Sequence, residues 1–276
     1  MTRRTLLKLM GGLTGSMVAL GGYTVMIERY LVQFNRYRIA VPNLPLAFHG
    51  LKIAHVSDIH YGALMPLRFV EYLLDKVNRN EKDVIVCTGD YIHESRSRMQ
   101  IDAVWPLLSE LRAPMGVYSV LGNHDHWGDT ARSLYWLEKS GQNLRGKAVA
   151  LEKEGQRLWL AGIGDEWEDP MVIDPILAQI PERDCRIVLA HNPDSADTPF
   201  QGRIDLMLSG HTHGGQVNFP FVGAPVLPVK NKTYSSGFVL STKRQPIFIS
   251  RGVGWAIYPV RFNCYPEIPI LELVAA

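Results

Sequence analysis

Apolar, β-branched runs alternate along this chain with short polar segments, and those segments are rich in metal-binding residue types. The run from Leu51 to Ser57 leads into Asp58-Ile59-His60, and the run from Asp83 to Thr88 leads into Gly89-Asp90. A third, from Gly116 to Leu121, leads into Gly122-Asn123-His124-Asp125; later runs end in His191-Asn192 and in Gly210-His211-Thr212-His213. Short apolar runs bounded by turn residues predict buried strands. Leu67, Val70, Leu73, Leu74 and Val77 recur at helical spacing and predict a helix over 66–78, with another over about 101–111. Strands alternating with helices predict an α/β sheet, in which ligands collect at the carboxyl ends of the strands. Asp58, Asp90 and Asn123 are expected to converge there.

The pattern changes after Gly146. Residues 148–153 and 156–162, around Glu154-Gly155, predict a hairpin and a second sheet. Further strands are expected near 237–242, 246–250 and 268–273, and Tyr37–Val41 reads as an edge strand closed by Pro42 and Pro45. At the start of the chain, Arg3, Arg4 and Lys8 precede a charge-free stretch from Leu9 to Ile27. That order predicts a twin-arginine-type signal or a membrane anchor over residues 1–34, followed by one domain over 35–276. The expected partners are therefore the twin-arginine export machinery and, through residues 9–27, the membrane, with the positive end cytoplasmic and the domain at the outer face.

Composition narrows the class. A chain of 276 residues, 46% hydrophobic and 20% charged, suits one globular domain behind a short leader. A net charge of +2, with no cluster of basic and aromatic residues, argues against specific nucleic-acid binding. Cys87, Cys185 and Cys264 form no disulfide framework and read as buried thiols.

Five of the nine histidines lie in the polar segments, alongside two aspartates and an asparagine placed at strand ends. A two-metal hydrolytic site needs one ligand that touches both ions, held roughly 3.5–4 Å apart, and a carboxylate does this naturally. Asp90 is the candidate bridge. Asp58 and His60 would serve one ion and Asn123 the other, with histidines completing both shells. Two divalent ions outweigh these carboxylates and a bridging hydroxide, so the centre would attract a phosphoester and make a hydroxide nucleophile available near neutral pH. Shells of mixed nitrogen and oxygen favour manganese, iron, zinc or cobalt. His124, one residue beyond Asn123, is placed to protonate the leaving oxygen.

The five segments, in this order, resemble the calcineurin-like metallophosphoesterases over about Leu51 to the C-terminus. The resemblance implies an α/β fold of two stacked mixed β-sheets flanked by helices. It also implies that Asp58, His60, Asp90 and His213 hold one metal, that Asp90, Asn123, His191 and His211 hold the other, and that His124 stands near the scissile phosphate. The leader, the segment 191–194, Gly210–Gln216 and Ser250–Gly254 resemble the exported bacterial branch called YaeI-like, which implies a phosphodiesterase. A pyrophosphate hydrolase acting on a lipid-linked nucleotide such as UDP-2,3-diacylglucosamine is the alternative within enzymes, and a metal-site scaffold the alternative outside them.

One departure stands out. The superfamily's phosphoprotein phosphatases carry Gly-Asp-x-x-Asp-Arg, whereas Gly89-Asp90 here continues to His93-Glu94. Protein phosphatase activity is not expected, and Asp125 becomes the candidate for orienting His124. His49, His55, His93 and His126 lie outside the motifs, although His93 and His126 flank them and could support the ligands, and residues 165–167 either line the cleft or, as the simpler reading, form a solvated loop.

Overall fold

The computed structural model describes residues 2–62 and 64–276. In chain order its elements begin with α1 (Arg3–Met26), β1 (Arg36–Val41), β2 (Lys52–Val56), α2 (Leu67–Arg79), β3 (Val84–Cys87), α3 (Arg98–Leu108), β4 (Val117–Ser119) and α4 (Asn123–Lys139). They continue with β5 (Ala148–Lys153), β6 (Gln156–Gly162), α5 (Asp174–Leu177), β7 (Cys185–Leu189), β8 (Leu206–Ser209), β9 (Gly237–Leu240), β10 (Pro246–Ile249) and β11 (Ile270–Ala275).

Two mixed sheets are stacked, as the family resemblance implies. The first has the order β1-β11-β2-β3-β4 and the second β5-β6-β7-β8-β10-β9. Within them β2, β3 and β4 are mutually parallel, as are β6, β7, β8 and β10. The predicted edge strand is at the edge, and the hairpin β5–β6 pairs antiparallel from Ala148 opposite Ala161 to Lys153 opposite Gln156. The C-terminal strand closes the first sheet between β1 and β2, a place that local pattern does not reveal.

Strands buried on both faces explain the unbroken apolar runs. Ile53, Val84, Val86 and Leu271 of the first sheet meet Leu160, Ile187, Leu206 and Leu208 of the second in one core. On the opposite face of the first sheet, Val56, Ile85 and Cys87 pack with Val70 and Leu73 of α2 and with Ile101 and Val104 of α3. Alternate residues thus serve alternate cores, as the two-residue period of a strand requires. Helix α3 starts three residues before the expected position and ends at Leu108, because Ile101, Val104, Trp105 and Leu108 form the stripe that is buried. All three cysteines are free and buried.

Helix α1 is different in kind. It is long and apolar enough to cross a membrane, and nearly all of it is exposed. Its end is fastened to the domain near the C-terminal tail: the Tyr23 and Tyr265 hydroxyls lie 3.1 Å apart, and the Arg29 guanidinium lies 4.4 Å from the centre of the Trp255 ring. Glu28, just past the helix, accepts a hydrogen bond from the Cys264 amide at 3.0 Å.

Candidate metal centre

Because β2, β3 and β4 are parallel, their carboxyl ends share one edge, and the loops leaving them are knitted together. The Asp58 amide donates to the Gly89 carbonyl and the His60 amide to the Asp90 carbonyl, each at 3.0 Å. Within the second sheet the loops after β7 and β8 are joined in the same way, the Gly210 amide donating to the His191 carbonyl at 3.0 Å, and across the seam between sheets the His211 amide donates to Asp58 Oδ1 at 2.9 Å. All seven residues expected to be ligands, Asp58, His60, Asp90, Asn123, His191, His211 and His213, are buried together at this edge.

Backbone conformation marks the same place. Asp58, His60, Asp90, His211 and His213 all have positive φ, between 49° and 68°. Such a conformation costs a non-glycine residue about 1–3 kcal/mol and persists where its surroundings enforce it, typically at functional sites. Two glycines are required by close approach. A Cβ on Gly122 would lie 2.3 Å from Asp90 Oδ1, and one on Gly210 would lie 2.0 Å from Ser57 Oγ and 2.2 Å from Asp58 Oδ2.

Asp90 occupies the centre. Its Oδ1 accepts the His124 amide at 2.8 Å, and its Oδ2 lies 3.4 Å from His60 Nε2 and 3.3 Å from His191 Nε2. To one side, His213 Nε2 is 3.0 Å from His60 Nε2 and 3.5 Å from Asp58 Oδ1. To the other, His191 Nε2 is 3.1 Å from His211 Nδ1 and 3.2 Å from Asn123 Oδ1. Asp58, His60 and His213 form one group able to hold a metal ion, and Asp90, His191 and His211 form a second.

The outer nitrogens fix the inner ones. His191 Nδ1 donates to the Thr88 carbonyl at 2.7 Å, and His211 Nε2 donates to the Pro228 carbonyl at 2.8 Å. Each ring therefore turns its other nitrogen toward the centre, the usual arrangement for a ligating histidine.

Charge balance also fits a cation. Burial holds His211 down to about 3, with the neighbouring His191 adding to the effect, and burial holds His60 and His213 well below the ordinary histidine range. Burial likewise opposes charge on His191, but the charge of Asp90 and its hydrogen bond outweigh it and carry His191 up to about 10. A carboxylate facing converging ring nitrogens thus demands positive charge between them, which a proton or a metal ion can supply. Burial raises Asp58 to about 6, with the charge of Asp90 contributing.

Two expectations are corrected. Asp125 does not orient His124: its carboxylate accepts the amides of Asp90 at 2.8 Å, Tyr91 at 2.9 Å and Gly122 at 2.9 Å, and so braces the turns beneath the centre. The His93 carbonyl takes that role, lying 2.7 Å from His124 Nδ1. Residues 165–167 are not simply a solvated loop, since Asp165 is fully buried and the Trp167 ring meets His211 edge-on at 4.5 Å.

Sequence reasoning missed several supporting residues. Arg261 is fully buried and ties the tail to the centre, donating to the His213 carbonyl at 3.0 Å and the Arg251 carbonyl at 2.8 Å. Thr88 was visible only as the end of a strand run, and a main-chain carbonyl such as that of Pro228 leaves no signal in side-chain identity. His55, without a motif role, donates from Nε2 to Thr88 Oγ1 at 2.8 Å, and Thr88 Oγ1 donates to Ser57 Oγ at 2.7 Å.

Comparison with known proteins agrees with this geometry. The family model described as calcineurin-like phosphoesterase matches residues 51–215. The chain is 32% identical over 280 residues to the uncharacterized metallophosphoesterase YkuE of Bacillus subtilis, covering 99% of this chain and 98% of that one. It is 35% identical over 228 residues to the phosphodiesterase YaeI of Escherichia coli, covering 81% and 82%. A transmembrane protein with a metallophosphoesterase domain from Danio rerio is 29% identical over 255 residues, covering 86% of this chain and 56% of that protein.

Proposed function

Because the chain belongs to the calcineurin-like phosphoesterases, and is thus a metal-dependent phosphoester hydrolase, we propose that its buried edge cluster holds two divalent ions and hydrolyses a phosphodiester. One observation carries the dinuclear reading: a single oxygen, Asp90 Oδ2, faces both His60 at 3.4 Å and His191 at 3.3 Å, between two groups of ligand-type residues. A carboxylate in that position would be able to serve both ions.

In this reading Asp58, His60, Asp90 and His213 would hold one ion, and Asp90, Asn123, His191 and His211 the other. Manganese, iron, zinc and cobalt suit the mixed donors. When bound, the ions supply a Lewis acid for the phosphoryl group and acidify the attacking water. The chain's own residues do the rest. Asn123 contributes a neutral oxygen, which preserves net positive charge for an anionic ester. His124 donates its Nδ1 proton to the His93 carbonyl, so Nε2 is the nitrogen that serves the leaving oxygen.

A diester is favoured by the similarity to the phosphodiesterase YaeI. Residues 1–34 serve, in the same proposal, as a twin-arginine signal or anchor, with the domain at the outer face of the membrane; the long exposed apolar helix and the transmembrane relative support it. The test of function is metal analysis of the purified protein together with a panel of phosphodiester, phosphomonoester and pyrophosphate substrates. Two bound ions and diester turnover are expected. Preferential release of a nucleoside monophosphate from a lipid-linked pyrophosphate would replace the diester reading. Replacing Arg3 and Arg4 with lysine should abolish export; unchanged localisation would sink the signal reading.

A further inference from the structure

Two indole rings stand over the metal-binding edge. Trp127 lies in the second turn of α4, which follows the first sheet, and Trp167 lies in the loop after β6 of the second. Their centroids are 6.4 Å apart with planes inclined by 30°, and each touches a different site histidine: Trp127 meets His124 at 4.7 Å and Trp167 meets His211 at 4.5 Å. The pair therefore spans the seam between the sheets, directly above the proposed centre.

Both rings are held open to solvent. Trp127 is 39% exposed and Trp167 42%, although large aromatic rings are normally buried. Their positions are set by hydrogen bonds. Trp127 Nε1 donates to Glu168 Oε1 at 2.6 Å, and the buried Asp165 carboxylate accepts the amides of Trp167 at 2.9 Å and Glu168 at 3.0 Å. A fixed, exposed aromatic pair against reactive groups has the form of a stacking platform, prepaid in conformational entropy.

Resting on the phosphoester reading above, we propose that Trp127 and Trp167 form a subsite for a flat ring borne by one ester arm of the substrate. The ring stacks on the indoles while its phosphoryl group lies between His124 and His211. An aromatic ring and the C–H face of a pyranose both offer an apolar face to such a platform, and the Glu168 carboxylate beside it suits hydrogen-bond donors on the ring's edge.

The test is calorimetric binding of methylphosphonate, phenylphosphonate, thymidine 5′-monophosphate and glucose 1-phosphate to the metal-loaded full chain. Ring-bearing ligands should bind about tenfold more tightly than methylphosphonate. That advantage should vanish in Trp127→Ala and Trp167→Ala and survive in Trp127→Phe and Trp167→Phe. Preference for the thymidine or phenyl compound identifies an aromatic ring, and preference for glucose 1-phosphate a sugar. No ring advantage in the wild type, or one that persists in both alanine variants, overturns the subsite. Turnover of a simple diester is followed in parallel: a ring advantage without diester hydrolysis would keep the subsite and reject the proposed reaction.

Discussion

His124 Nδ1 lies 2.7 Å from the carbonyl oxygen of His93, so a main-chain group fixes the orientation of this ring. A carbonyl is present whatever the side chain, so this bond does not depend on residue 93 being a histidine. His124→Asn should lower kcat about a hundredfold to ten-thousandfold, the range for losing a general acid, with metal content nearly intact. His93→Ala should cost less than about tenfold. Steady-state kinetics with metal analysis decides, and loss of metal from His124→Asn would make that residue a ligand instead.

Asp90 should be the residue on which both ions depend. Asp90→Asn keeps the shape but removes the charge that faces His60 and His191, so it should bind neither ion at stoichiometry, whereas His213→Ala should retain one. Chelation of the wild type should abolish turnover, and added manganese should restore it. Metal-to-protein ratios measured after dialysis test the scheme; an Asp90→Asn protein that still carries two ions would remove the bridge.

Gly122 should prove irreplaceable for reasons of space. Its added Cβ would sit 2.3 Å from Asp90 Oδ1 and 2.8 Å from His191 Cε1, so the central carboxylate must shift. Gly122→Ala is expected to weaken metal binding by at least about tenfold, since ligand geometry tolerates displacements of only a few tenths of an ångström. The measurement is a metal titration followed by circular dichroism. Normal metal binding with a lowered Tm would assign the glycine to folding alone.

Much of this centre was legible because strands buried on both faces give unbroken apolar runs, and each run ends where its ligand begins. Val84 to Cys87 followed by Gly89-Asp90 shows it most plainly, since all four strand residues are buried. What stayed hidden depends on long reach. The place of β11 between β1 and β2 is a pairing across more than 200 residues of chain, and Arg261 reaches the His213 carbonyl from 48 residues away. Trp167 looked like a loop residue because exposure and contact with a functional group leave the same signature in sequence. Positive φ at Asp58 and Asp90 is likewise unreadable, as nothing local favours it over an ordinary turn.

His55 supplies a pH dependence of stability separable from that of the metal ligands. Burial beside Phe248 lowers it to about 3 from an ordinary value of 6.5, despite the opposing charge of Glu267. Between those two values the unfolded chain binds a proton at His55 and the folded chain does not, so stability rises with pH across that window. The contribution is complete above 6.5 and is lost as pH falls toward 3. At pH 5 the loss amounts to about 2 kcal/mol. His55→Gln can still donate to Thr88 but does not titrate, so its denaturation free energy should fall less than that of the wild type between pH 7.5 and pH 5. The difference between the two curves cancels the opposing titrations of His191 and Asp58, which both proteins share. Parallel curves would mean that His55 titrates alike in the folded and unfolded chain, and the pH dependence would not belong to it.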